Sequence, residues 1–86
     1  MEKVIVVRNP HGLHARPAAK FVRAASSVQE EVTIEKNGKT ANAKSILGIM
    51  SLGVSRGDSV KLFVNAEERE DLMFRLEEIL TAEDES

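Results

Sequence analysis

The chain has 86 residues and a formal net charge of −2, which allows one small domain over residues 1–86, little room for a deep enclosed pocket, and chemistry done at the surface. Apolar residues make up 42% and aromatics 3%, so Val, Ile, Leu and Ala must pack the core, and the absence of cysteine excludes disulfides, thiolate nucleophiles and Cys-based metal sites. Basic residues are scattered rather than clustered and no apolar run approaches a membrane span, so a soluble cytoplasmic protein with protein partners is expected, without direct nucleic-acid binding or membrane insertion.

Lys3 to Val7 is a β-branched run closed by Asn9-Pro10 and Gly12, which predicts a first strand and then a turn-rich loop. From Ala15 the apolar positions Ala18, Ala19, Val22 and Ala25 recur at helical spacing, with Arg16, Lys20 and Arg23 on the other side. An amphipathic helix from about Ala15 to Ser26 follows. Pro17 is tolerated there because its first-turn position needs no N–H. Val32 and Ile34 alternate with Thr33 and Glu35, and Asn37-Gly38 turns the chain back into Lys39 to Ala43, the signature of a β-hairpin. Ser45 can cap a short helix, Ile46 to Leu52, ended by Gly53. Its apolar side chains point round most of the circumference, so one subset must face solvent or a partner. Ser55-Arg56-Gly57-Asp58 reads as a turn, and Val60, Leu62 and Val64 as the buried side of a fourth strand with Phe63 on the other side. Asn65 and Glu68 match a capping box, and Leu72, Leu76, Ile79 and Leu80 predict the inward stripe of a last helix. The acidic stretch Thr81 to Ser86 lacks apolar spacing and is expected to fray. The order β-α-β-β-α-β-α predicts a two-layer sandwich of helices on a sheet.

Gly12-Leu13-His14-Ala15-Arg16-Pro17 sets one imidazole where coil turns into helix and a guanidinium two residues on. A helix N-terminus offers unpaired N–H groups and the positive end of the macrodipole, which favour an anion. Imidazole, with an ordinary pKa of about 6.5, has a neutral ring form whose lone pair can attack phosphorus near neutral pH. Arg16 can hold phosphate oxygens bidentately, and the amides of Ala15 and Arg16 can add donors. No Walker-type loop, Asp pair for Mg²⁺ or nucleotide motif is present, so a donor protein would have to complete the active site, and no cofactor is expected. Taken alone, the stretch reads first as a helix-start histidine with a satisfied ring beside a solvated arginine. His11 and His14 also make an H-x-x-H pair, but Asn9 and Arg16 are poor company for a cation and no metal site is expected.

Ser45 opens the segment Asn42-Ala43-Lys44-Ser45-Ile46-Leu47-Gly48-Ile49-Met50-Ser51-Leu52. On spacing alone it is a neutral helix cap. Phosphorylation there would add roughly −1.5 to −2 charge beside an apolar surface, hostile to an acidic partner.

Together, the His14 stretch and the Ser45 segment resemble the HPr family, the histidine-containing phosphocarriers of the bacterial phosphoenolpyruvate-dependent sugar phosphotransferase system, and the resemblance spans essentially the whole chain. It implies an α+β open-faced sandwich with an antiparallel sheet in the order 1-4-2-3 and three helices on one face. It implies that His14 is phosphorylated on Nδ1 by enzyme I and discharged onto IIA components of sugar permeases, making the protein a carrier rather than an autonomous enzyme. Arg16 matches the arginine that steadies the phosphoryl group. Ser45 matches the serine that, in many Gram-positive relatives, an ATP-dependent HPr kinase/phosphorylase modifies, linking the carrier to catabolite repression and a catabolite-control transcription regulator. Ile46, Leu47 and Met50 match the apolar partner-docking surface, and a monomer is expected.

The sequence also departs from the family pattern. His11 stands where a small or polar residue is common, so with Pro17 it neighbours the phosphoryl site. Leu47 stands where methionine or phenylalanine is frequent, Val28 replaces a frequent aromatic, and Phe63 adds one. Pro17 and the intact serine segment favour the sugar system over nitrogen-system carriers. A regulatory binding module acting through Ser45 is a further alternative, disfavoured where it requires loss of the histidine.

Overall fold

The computed structural model describes residues 1–83. In chain order the elements are β1 (Glu2–Val6), α1 (Ala15–Ala25), β2 (Val32–Lys36), β3 (Lys39–Asn42), α2 (Ile46–Ser51), β4 (Ser59–Val64) and α3 (Glu70–Thr81). The strands form a four-stranded antiparallel sheet in the order β1-β4-β2-β3. That is the architecture the family resemblance implied.

Strand side chains alternate between faces, and the two faces differ sharply. Ile5, Val32, Ile34, Val60, Leu62 and Val64 are buried in one cluster with Phe21 of α1, Ile49 of α2 and Leu72, Met73 and Leu76 of α3. The three helices therefore cover that face. The other carries Val4 and Val6, 63% and 52% exposed, and the half-buried Phe63 opposite Glu2 and Thr33.

The β2–β3 hairpin turns through Asn37 and Gly38, both at positive φ (51° and 81°), the pair of left-handed residues that a type I′ turn requires. Strand limits differ from the sequence pattern by one residue: Val7 and Ala43 are buried but lie just outside β1 and β3. The larger difference is at α3. The Asn65–Glu68 capping box does not form, because the Asn65 N–H pairs with Glu31 O at 2.9 Å and the Met1 amine binds the carbonyls of Val64 and Ala66, both at 2.7 Å. These bonds commit 64–66 to the sheet margin, so α3 begins only at Glu70, with Arg69 at its N-cap and paired to Glu30. Met73 joins Leu72, Leu76 and Leu80 in the buried stripe, while Ile79 is only half-buried. The helix runs through Thr81 rather than ending before it. The rest of the stretch expected to fray, 84–86, lies outside the described residues.

Candidate functional site

The loop from Val7 to Leu13 is fixed at both ends by backbone bonds, and its fixing point is Asn9. Asn9 is 4% exposed and its Nδ2 donates to Ile79 O at 2.6 Å. The amides of Arg8 and Asn9 both donate to Leu80 O, at 2.9 and 3.3 Å. These are C-terminal carbonyls of α3 with no intrahelical N–H left to receive, so one loop satisfies the helix end and is itself immobilised. Further on, Gly12 N–H donates to Asn9 O and Leu13 N–H to Val54 O, each at 3.1 Å. Gly12 sits at φ +67°, and a Cβ there would strike Val54 O and stand 2.8 Å from Ser55 Cα. Glycine is required both for the left-handed backbone and for the contact.

This loop delivers His14 to the N-cap of α1, in extended backbone (φ −82°, ψ −173°) and with an exposed side chain. Its ring makes no capping hydrogen bond, which leaves the amides of Ala15 and Arg16 without an intrahelical acceptor. His11 is brought against it: the two ring centroids lie 5.7 Å apart with planes at 76°, an edge-to-face contact. Arg16 is exposed in the first turn and joined by no ion pair to a described residue. Pro17 is buried.

A groove of about 510 Å³ opens beside His14, walled by the Asn9-Pro10 segment, by Pro17, Lys20 and Arg23 of α1, and by α3. The α3 wall is Arg75, Glu78 and Ile79, continued by Ala82. Arg16 is not part of this wall.

Behind the loop, the turn at 55–58 holds Val54 in place. Asp58 accepts from Ser55 N–H at 2.7 Å and from Lys36 Nζ at 2.9 Å, while Lys36 Nζ also donates to Gly53 O at 2.6 Å. The Lys36 ammonium first, and the Ser55 N–H second, hold the Asp58 carboxyl below its ordinary range.

Ser45 is at the N-cap of α2, where its Oγ accepts from Gly48 N–H at 3.1 Å. Ile49 points into the core, and Ile46, Leu47 and Met50 are 42%, 80% and 43% exposed. The apolar surplus foreseen on this helix is therefore outward-facing.

The family model described as "PTS HPr component phosphorylation site" matches residues 1–82. The chain belongs to the HPr family. Its relatives include the HPr-like protein Crh of Bacillus subtilis (strain 168), 43% identical over 88% of this chain and 89% of that one. Phosphocarrier protein HPr of Buchnera aphidicola subsp. Acyrthosiphon pisum is 39% identical over 90% and 91%. The crystal structure of HPr-C-His from Thermoanaerobacter tengcongensis superposes with a TM-score of 0.87 at 44% identity, covering 98% of each chain. Another HPr structure from that organism, 50% identical with a TM-score of 0.66 over 84% of this chain and 83% of its own, is of a dimer.

HPr proteins are phosphocarriers rather than autonomous enzymes, and the coarse function of this chain is thereby set. The expectation of a monomer conflicts with a relative of this fold that has been solved as a dimer. Among the described residues, no helix is long and apolar enough to cross a membrane. The groove beside His14 also includes residues to which spacing gave no site role. Asn9 reads as part of a turn and as poor company for a cation, and nothing in the sequence announces that Arg75 and Glu78 line a groove with α1. Arg23 had a signal, as the last of the row Arg16, Lys20, Arg23 on one helix face.

Proposed function

We propose that this HPr-family phosphocarrier accepts a phosphoryl group from phosphorylated enzyme I on Nδ1 of His14 and passes it to IIA components of sugar permeases in the cytoplasm. The observation that carries the reading is His14 itself: an exposed imidazole at the N-cap of α1, its ring not spent on capping. In the transfer, the ring lone pair attacks phosphorus, the bond from phosphorus to the donor breaks, and an N–P bond forms in line with it. The positive end of α1, the amides of Ala15 and Arg16, and the Arg16 guanidinium are suited to the charge of the phosphoryl oxygens. An open site suits a relay, because an acceptor that held the group tightly would raise the barrier to the next transfer. Incubation with phosphoenolpyruvate and enzyme I should give an acid-labile, alkali-stable adduct on the parent and none on His14→Ala. Equal labelling of the variant sinks the proposal.

Ser45 supports a second, regulatory role that the relationship to Crh favours, one relative being described as "the Bacillus subtilis Catabolite Repression HPr". A phosphate on Ser45 would sit at a helix start that tolerates it, next to the exposed Ile46, Leu47 and Met50, and would repel an acidic docking partner. The HPr kinase/phosphorylase and a catabolite-control transcription regulator are the partners this role calls for. Failure of that kinase with ATP to modify Ser45 would leave it as a helix cap.

A further inference from the structure

The groove beside His14 is larger than a phosphoryl relay needs. Its volume, about 510 Å³, lies in the range of small-molecule sites, roughly 300 to 1,000 Å³, whereas one phosphoryl group on His14 would occupy only a corner of it. Its chemistry is mixed. Arg23 from α1 and Arg75 from α3 both line it, and neither is ion-paired with a described residue. Pro17 and Ile79 give it an apolar wall, and Glu78 supplies one acceptor carboxylate.

Two guanidinium forks match phosphate oxygens, which they bind bidentately. An inorganic phosphate would use the forks and leave the apolar wall wet, while an apolar molecule would cover the wall and leave the cations unanswered. A ligand that satisfies both carries a phosphomonoester on a flat, largely apolar body, with a hydroxyl or amino group to donate to Glu78. We propose that the groove is a binding site for a small organic phosphomonoester of nucleoside monophosphate size, and that the bound ligand covers His14. Because His14 is in the groove wall, the ligand's charge and bulk stand where an incoming phosphoryl group must approach. Occupancy and phosphorylation are then mutually antagonistic, each weakening the other by the same factor. This consequence rests on His14 being the acceptor; the binding itself does not.

The test is a titration of ¹⁵N-labelled protein with AMP, with adenosine and inorganic phosphate as the two half-ligands. AMP should shift the amides around Arg23, Arg75, Ile79 and Ala82, and each half-ligand should bind about tenfold or more weakly. The doubly substituted R23Q/R75Q protein should lose about tenfold or more in AMP affinity. Both side chains are exposed, and an unchanged melting temperature would show that the variant folds. Saturating AMP should slow labelling of the parent by enzyme I. Shifts elsewhere, no shifts, or a half-ligand that binds as well as AMP would overturn the proposal. Indifference to AMP with R23Q/R75Q impaired in phosphoryl acceptance would also overturn it and make the groove a protein-docking surface. AMP binding without slower labelling would overturn the covering of His14. The AMP titration of His14→Ala separates the two proposals: a variant that binds AMP yet still accepts phosphoryl removes the acceptor assignment and leaves the binding site standing.

Discussion

Gly12 shows how a single residue governs the site. Its left-handed backbone brings the loop against Val54 O, so that Leu13 can bond the same carbonyl and His14 can start α1. Gly12→Ala imposes a Cβ on positive φ and on a backbone contact that cannot yield without moving the 53–58 turn. The cost is about 2 kcal/mol or more, a fall in melting temperature of about 8 °C or more for a domain this small. Thermal unfolding followed by circular dichroism checks it, and a melting point within 2 °C, roughly half a kcal/mol, would remove Gly12 from this role. Asn9 acts by a different route, since its side chain reaches a carbonyl 70 residues away. Nothing local in the sequence encodes such a partner, which is why Asn9 was legible as a turn residue and not as the anchor of the site.

At the scale of elements, periodicity located β2, β4, α1 and α3, because their alternating and amphipathic patterns are enforced by one shared core, while turn and cap residues located β3 and α2. The start of α3 departs from the sequence pattern for a reason of the same kind. A capping box is a local preference worth about 1 kcal/mol, and here the strand-end bonds of 64–66 outweigh it. The turn at 55–58 gives a pH prediction. The Asp58 carboxyl is held below its ordinary value of 3.8 chiefly by Lys36, so the stability it adds is present above that value and lost as pH falls through the lower folded value. Asp58→Asn should be less stable than the parent at neutral pH, and the gap should close in acid below about pH 4. Urea midpoints across that range test this; a gap that widens in acid contradicts it. The α2 surface gives a third prediction. Leu47 is 80% exposed, so Leu47→Asp should leave the urea midpoint nearly unchanged while weakening binding to enzyme I by about fivefold or more. Unaltered affinity would show that α2 is not a docking surface.

For the whole molecule, the division of labour follows from the sheet. One face is sealed by three helices around a largely aliphatic core, and the chemistry proposed above falls to the loop and helix start at the edge of that layer. The family was readable because the His14 stretch and the Ser45 segment are each an unbroken run of residues that carries its pattern. The groove was not, because Arg23 and Arg75 line one groove only when α1 packs on α3. His11 lies so close to His14 that labelling alone can mislead about which ring is modified, since the centroids are 5.7 Å apart. The decisive measurement is therefore a long-range proton–nitrogen NMR spectrum of the ¹⁵N-labelled protein after phosphorylation by enzyme I. Phosphorus coupling should appear on Nδ1 of His14 alone, with His11 uncoupled; coupling on His11, or a phosphorylated protein with neither ring coupled, would contradict the assignment of His14 as the acceptor.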